Sequence, residues 1–169
     1  MPDRADPRIT PVQELWRGES GRERQLTRLG LRPQNPEWNA AGTHLVFSAD
    51  SGYRDERRYE ARQLFVVGLD SAVRMLAADP EVDHTAASFS PDGRHVLYTR
   101  KLSTNTVIAR RLDHGGATDL AIVPSAGAAV RTLTAPWDHL PTNARWRSAG
   151  PPGYFPGGLR GATPPAPLA

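Results

Sequence analysis

The sequence contains no cysteine among its 169 residues. This absence excludes disulfide bonds and thiolate metal sites, and it permits a reducing compartment. No apolar run approaches the length of a membrane span, and the segment from Met1 to Asp6 lacks the apolar core of a signal peptide. We therefore expect a cytoplasmic chain that makes no contact with a membrane.

Lysine is almost absent as well, because Lys101 is the only one and the other basic residues are 20 arginines. The net charge is +3, but the densest charged stretch, residues 54–62, alternates basic and acidic side chains. Alternating charges cancel much of their field within a few ångströms, whereas phosphate binding needs a one-sided basic patch. The sequence therefore predicts no nucleic-acid partner.

What the sequence does contain is a repeat, marked by three aromatic residues. Phe89 follows Trp38, and Trp146 follows Phe89, at similar spacings that are each a little over fifty residues. A glycine comes four residues after each of them, at Gly42, Gly93 and Gly150. After the first two glycines come a polar residue, a histidine, two aliphatic residues, an aromatic residue and a hydroxyl residue. Repetition at this period indicates stacked structural units, with the aromatic residues packed between neighbouring units.

Each copy predicts a tight turn between two strands. In the second copy Pro91 suits the second position of the turn, Asp92 tolerates the third, and Gly93 supplies a positive φ. The residues that follow, 94–99, have the composition of a half-buried strand. We therefore predict a β-hairpin here and at the equivalent first copy.

Further landmarks complete a unit of four strands. A basic-x-leucine pattern recurs with its leucines at Leu26, Leu76 and Leu133, and an apolar run precedes the second and third of these, at residues 64–67 and 120–123. Four strand-sized segments at a period near fifty residues are typical of a β-propeller blade.

A family resemblance supports this interpretation. The segment Phe89-Ser90-Pro91-Asp92-Gly93, the strand to Thr99 and residues 130–134 resemble the repeat shared by TolB-type propellers and the propeller domains of the prolyl oligopeptidase family of serine peptidases. The resemblance extends from Leu15 to Gly150. The stretch Trp137-Asp138-His139 is similar to the segment before the blade hairpin in bacterial dipeptidyl-aminopeptidase and acylaminoacyl-peptidase propellers, which favours the peptidase branch.

The predicted fold class is all-β, an incomplete β-propeller of about two and a half four-stranded blades with a disordered tail rich in proline and glycine. The predicted boundaries are a disordered N-terminus at 1–11, a partial blade at 12–28, blades at 29–79 and 80–135, the start of a further blade at 136–150, and the tail at 151–169.

Proline is the reason for predicting that the third hairpin fails. Pro151-Pro152 replaces the Arg94-His95 of the second copy, and proline removes amide donors from a strand. The connector of the second blade, in contrast, contains a predicted extra β segment at residues 106–109. Because closed propellers use about 4 to 8 blades, we expect a fragment of a ring whose open edges favour association with other chains.

The sequence offers no catalytic machinery. No Gly-x-Ser-x-Gly nucleophile elbow is present, and the serine of Gly18-Glu19-Ser20-Gly21 has the wrong spacing and suits a turn. We assign no catalytic residue, and whether a parent protein is a serine peptidase stays open.

Two histidine patterns recur in the sequence, and only the second is a candidate for a metal site. His44 and His95 occupy equivalent positions after the turn, which predicts a structural role. Two pairs, Asp83-His84 and Asp138-His139, lie where the chain enters a blade, but an aspartate in such a connection usually bonds nearby backbone amides. We therefore expect neither a metal nor a cofactor.

The resemblance implies two alternative functions. In the peptidase family the propeller filters substrates by size and its loops position the amino terminus of a peptide, with catalysis on a separate hydrolase domain that this sequence lacks. The residues that would contact substrate are then Arg54, Arg57, Arg58 and Glu60. The alternative is a TolB-like module that binds a partner protein through the loop end of its blades, and a relic without activity is a third possibility.

Overall fold

The computed structural model of the chain describes residues 12–55, 57–134, 140–141, 144–146, 154–158 and 165–167. Its elements, in chain order, are β1 (Trp16–Glu19), β2 (Arg22–Gln25), β3 (Gln34–Trp38), β4 (His44–Ala49), β5 (Gln63–Gly68), β6 (Val73–Ala77), β7 (Val82–Phe89), β8 (His95–Leu102), α1 (Thr104–Ala109), β9 (Asp119–Pro124), β10 (Arg131–Thr132), β11 (Leu140–Pro141), β12 (Tyr154–Gly158) and β13 (Pro165–Pro167).

The strands form successive antiparallel sheets in which each strand pairs with the next one along the chain. β1 and β2 form a two-stranded sheet, β3 to β6 form a four-stranded sheet, and β7 to β10 form a second four-stranded sheet. The predicted unit of four strands is therefore confirmed, and the fold is a partial β-propeller. We call the two four-stranded sheets the first and second full blades.

The predicted hairpins are confirmed in both full blades, with matching hydrogen bonds. The Gly93 amide donates to the Ser90 carbonyl at 2.8 Å, and the Gly42 amide donates to the Asn39 carbonyl at 2.9 Å. Both glycines have positive φ, at 71° and 64°. The repeated residue classes therefore build the same turn twice, since positive φ costs glycine little.

A repeated bulge was not predicted from the sequence. The register of β3 shifts between Gln34 and Glu37, and that of β7 shifts between Thr85 and Ser88. Within each bulge one residue other than glycine has positive φ, namely Asn35 and Ala86, which are one repeat apart. The period of the sequence thus extends to the backbone distortion of the first strand.

The cores lie between neighbouring blades. Alternate residues of β4 and β5 face the second full blade, so that Val46, Leu64 and Val66 share a buried cluster with Phe89 and Tyr98. The other face of the same strands packs against the two-stranded sheet in a cluster that includes Phe47, Phe65 and Leu26, and the rings of Phe47 and Phe65 stack with centroids 5.5 Å apart. Strands of a central blade are therefore apolar on both faces.

The three repeated aromatic residues have different environments. Phe89 is 8% exposed between the two full blades, and Trp146 packs against Leu97 and Leu120 on the far face of the second one. Trp38 is 41% exposed. Packing between blades therefore describes Phe89 and Trp146, but Trp38 lacks comparable cover because β1 and β2 do not extend to it.

The predicted β segment at residues 106–109 is wrong, because this stretch belongs to α1. Ser103 has an extended backbone, and its hydroxyl accepts a hydrogen bond from the Thr106 amide at 3.2 Å. This serine caps the first turn, so a local side-chain bond selects helix over strand despite the β-branched residues. Among the described residues, no helix is long and apolar enough to cross a membrane.

Three short strands, β11, β12 and β13, lie on either side of the predicted failed hairpin and within the predicted tail. β11 pairs with β12, and β12 pairs with β13. Leu140 pairs with Gly158, and the equivalent residues one repeat earlier, Asp83 and Lys101, pair in the same way. The repeat therefore continues into a third blade, and the edge position of β13 tolerates prolines because an edge strand has amides without partners. The predicted disordered segment 1–11 lies outside the described residues.

Candidate functional site

A cleft of about 520 Å³ opens at the loop end of the first full blade. Its lining is polar and aromatic and consists of Arg32, Gln34, Asp50, Tyr53, Arg58, Tyr59 and Glu60. Most of these residues lie in the loop from 50 to 62, which joins β4 to β5, while Arg32 and Gln34 lead into and begin β3. In an antiparallel meander the start of the first strand and the loop after the second strand meet at one end of the sheet, which explains the cleft.

Asp50 organises the loop from a buried position. Its carboxylate accepts hydrogen bonds from the Gly52 amide at 2.8 Å and the Ala61 amide at 3.1 Å, and it forms an ion pair with Arg58. Arg58 also donates from Nε to the Gly52 carbonyl at 3.1 Å. Because these bonds close the loop on itself, Arg58 serves the loop conformation and keeps only part of its guanidinium open to the cleft.

Glu60 presents the second carboxylate of the cleft. One oxygen accepts from Gln34 Nε2 at 2.7 Å, and the other lies 3.8 Å from Arg62 Nη1. Gln34 in turn accepts from Arg62 Nη1 at 2.9 Å. The Glu60 side chain is 44% exposed, so its carboxylate stays accessible to a ligand while these contacts hold its position.

Arg62 connects this loop to the second full blade. Its guanidinium donates to both oxygens of Asp83, at 2.9 and 2.6 Å, and its amide donates to the same carboxylate at 2.9 Å. Burial by itself raises the pKa of Asp83, but the hydrogen bonds from Arg62 and its charge outweigh burial and hold that pKa below its usual value. The Arg62 pKa is raised by the same side-chain bond.

His84 completes the junction between the two blades. Its Nδ1 lies 2.8 Å from the Arg62 carbonyl, and since a carbonyl only accepts, Nδ1 carries the proton. Burial lowers the pKa of His84, so the imidazole is neutral in the folded state. Tyr98 packs beside it with ring centroids 5.6 Å apart, and burial raises the pKa of that phenol to about 12.

Tyr59 lies at the rim of the cleft, and a residue of the second full blade binds its backbone through two hydrogen bonds. Its amide donates to Asn105 Oδ1 at 2.8 Å, and Asn105 Nδ2 donates to its carbonyl at 2.7 Å. Asn105 lies in α1, so the helix that replaced the predicted strand fixes this part of the rim. The Tyr59 side chain itself is 57% exposed. Nothing in the sequence indicates this pairing, since 46 residues separate the partners.

The predicted substrate-contact residues divide into two groups. Arg58 and Glu60 line the cleft, whereas Arg54 and Arg57 are exposed on the loop outside the lining. Arg54 lies over the Tyr53 ring and donates to its hydroxyl at 2.9 Å, and the Arg57 amide donates to Asp55 at 2.9 Å. The structure therefore brings two of the four together, and contact with a substrate stays a prediction for all of them.

The two Asp-His pairs are the metal-ligand candidates of the sequence. Asp83 is bound to Arg62, and His84 uses Nδ1 for the Arg62 carbonyl, so both groups hold the blades together. The second pair, Asp138-His139, lies outside the described residues. Within the described ranges no three histidine, aspartate or glutamate side chains converge as a metal site would require.

Comparison with known proteins shows the fold of the chain but does not assign the chain to a family. No protein-family model matches the sequence, and no curated protein is similar to it. Among solved structures, TolB from Acinetobacter baumannii resembles the chain with a TM-score of 0.60 and 15% sequence identity. The match covers 93% of this chain and 35% of TolB, so the chain spans about a third of that protein. The sheet order and this likeness show a TolB-like β-propeller fold.

Proposed function

We propose that this chain is a protein-interaction module that binds an extended segment of a partner protein in the cleft at its loop end. The observation that carries the proposal is the exposed ring of Tyr59 on a backbone fixed by Asn105. Tyrosine and arginine are enriched at the energetic centres of interfaces, and a side chain on a rigid backbone loses little conformational entropy on binding.

The lining of the cleft suits a peptide more than an apolar small molecule. Glu60 offers an acceptor for amides or a cation, and Arg32 is an exposed donor in the same lining. Pockets for drug-sized ligands are predominantly apolar, whereas an extended peptide presents a regular row of donors and acceptors. The polar groups around Tyr59 therefore match a backbone with one anchoring side chain.

A second candidate is the substrate-positioning propeller of a serine peptidase, as the sequence resemblance implies. The accessible carboxylate of Glu60 favours it, because a carboxylate held at 2.7 Å from Gln34 is positioned to receive the ammonium of a peptide amino terminus. Arg58 would contribute less, since Asp50 already binds it.

Peptide selection tests the proposed module. We would select peptides from a random displayed library on the folded chain and measure their dissociation constants for the wild type, Tyr59→Ala and Met75→Ala. We expect Tyr59→Ala to weaken binding by about tenfold or more, the effect of removing an interface hot spot. Met75 is an equally exposed apolar residue on β6 that does not line the cleft, so its variant should bind as the wild type does. Failure to select any peptide, or equal affinity of the Tyr59→Ala variant, contradicts the proposal.

The same peptides distinguish the two candidates. If the cleft holds a peptide amino terminus, acetylation of that terminus and Glu60→Gln should each weaken binding, and the two losses should not add, because both remove one ion pair. If the cleft binds an internal segment, acetylation should leave the affinity unchanged, which favours the interaction module.

A further inference from the structure

The two-stranded sheet is the outer half of a blade. β2 follows β1 as β6 follows β5, and Leu26 packs on the first full blade as Leu76 packs on the second. Leu15 shares that face, so it is the counterpart of Leu64, and Trp16 is the counterpart of Phe65. Among the described residues no strand pairs with the other edge of β1. Within the described residues this blade therefore lacks its inner two strands.

The free edge of β1 is competent to pair. The Leu26 amide donates to the Leu15 carbonyl at 2.8 Å, which makes these residues a hydrogen-bonded pair. Hydrogen-bonded and non-hydrogen-bonded pairs alternate along an antiparallel ladder. The amides of Trp16 and Gly18 consequently point away from β2. Trp16 is also 57% exposed and Trp38 is 41% exposed, whereas strands of the preceding blade cover Phe89 and Trp146.

The other end of the chain carries the missing half. β11 and β12 pair in the register of β7 and β8, so they are the inner two strands of a third blade. Phe155 of β12 is the counterpart of Phe47 and Tyr98, because it follows Tyr98 at the spacing by which Trp146 follows Phe89. In the first full blade Phe47 faces Phe65 across β4 and β5, and the two rings stack. The same register between β12 and β1 would set Phe155 opposite Trp16, again two aromatic residues.

β13 occupies this edge of β12 in the single chain, but it is a poor third strand. It has three residues, of which Pro165 and Pro167 have no amide proton. The connection from β12 to β13 is also less than half as long as the one from β8 to β9, so β13 does not follow the repeat. β1 has four residues and no proline. Unlike β13, β1 therefore keeps the amide proton of every one of its residues.

We propose that two copies of this chain close a six-bladed ring, in which β1 of each copy displaces β13 of the other and pairs with its β12. Each copy contributes its two full blades. It also contributes β1 and β2 to one shared blade and β11 and β12 to the other. One copy alone amounts to three blades, below the usual 4 to 8, and two copies give six. Each copy contacts the other in the same two places, β1 on β12 and β12 on β1, so a twofold rotation between the copies closes the ring.

The mass of the chain in solution tests this proposal. By light scattering after size exclusion at micromolar concentration, we expect twice the 18.5 kDa of the single chain. Gly18→Pro removes an amide from the free edge of β1, and a side chain at Gly18 meets no atom within 4 Å. This variant should dissociate at least tenfold more readily. The matched control is Glu23→Pro, which removes an amide on the outer edge of the same hairpin, directly across from Gly18. It should stay dimeric.

Three outcomes contradict the ring. A monomeric wild type, an open polymer, or a dimer equally stable in both proline variants would each overturn it, because each shows that the edge of β1 is not the closing contact.

Cysteine cross-linking provides a measurement that does not depend on the proline variants. Since the chain has no cysteine, Trp16→Cys and Phe155→Cys can be prepared separately, mixed and oxidised. We expect a disulfide-linked dimer from the mixture and not from either variant alone. Cross-linking in no sample, or equally in all three, would rule out the proposed register.

Discussion

Arg62 shows how a single side chain joins two blades of the propeller. It binds Asp83 of β7 through its guanidinium and its amide, and its carbonyl accepts from His84. All these groups are largely or partly shielded from water, so removing one partner would leave another unsatisfied. The sequence drew attention to Asp83 and His84 as a pair, but only the structure identifies Arg62 as their common partner.

His84 makes this junction dependent on pH. Its folded-state pKa lies below the ordinary value of 6.5, because burial disfavours the charged ring. The unfolded chain therefore binds a proton near pH 6.5 that the folded chain does not. This contribution to the free energy of unfolding is complete above that pH and is lost as the pH falls below it, with a slope of at most about 1.4 kcal/mol per pH unit. Urea unfolding measured at several pH values between about 7.5 and 5 checks this expectation.

The control for that prediction is His84→Gln, which keeps a hydrogen-bond donor but does not titrate. The free energy of unfolding of this variant should vary less over the same pH range than that of the wild type. Equal slopes in the two proteins would show that another group is responsible.

At the scale of the elements, local chemistry accounts for the hairpins and the helix. The turn at Ser90 to Gly93 needs only neighbouring residues, so its position and its glycine were predictable. The start of α1 also depends on a local bond, between Ser103 and Thr106, but its β-branched residues favoured the strand interpretation. The bulges at Asn35 and Ala86 carry no glycine and produce no comparable signal in the sequence.

Two residues of the second full blade have positive φ, and we expect substitutions at them to change the free energy of unfolding in opposite directions. Gly93→Ala should lower the free energy of unfolding by about 1 kcal/mol, because alanine at φ of 71° is strained. Ala86→Gly should raise it by up to about 1 kcal/mol, since glycine relieves strain at φ of 51°. Denaturant unfolding of both variants provides the measurement.

Gly18→Ala is the matched control for this pair, because Gly18 has no positive φ and space for a methyl group. Its stability should stay within about 0.5 kcal/mol of the wild type. Losses of the same size at Gly18 and Gly93 would contradict the argument from φ.

At the scale of the molecule, stability depends on the packing of blade against blade. Phe89 lies in the cluster shared by the two full blades and is 8% exposed. Phe89→Ala should therefore lower the free energy of unfolding by about 3 to 5 kcal/mol, the cost of truncating a buried aromatic residue. Denaturation followed by far-ultraviolet circular dichroism should show both blades unfolding together in the wild type.

Met75→Ala is the comparison for Phe89→Ala, because Met75 is 55% exposed on β6. We expect a change within about 0.5 kcal/mol. If Phe89→Ala cost no more than Met75→Ala, the two blades would not be coupled through this cluster.

The sequence by itself determined the period, the number of strands in a unit and the position of the hairpins, because turn chemistry and alternation act between near neighbours. Tertiary structure decided the rest. The bond between Tyr59 and Asn105, the junction at Arg62 and the exposure of Trp38 all depend on residues that are distant in the chain. The third blade belongs to this second group, since pairing with β11 gives β12 a place that its proline and glycines did not suggest.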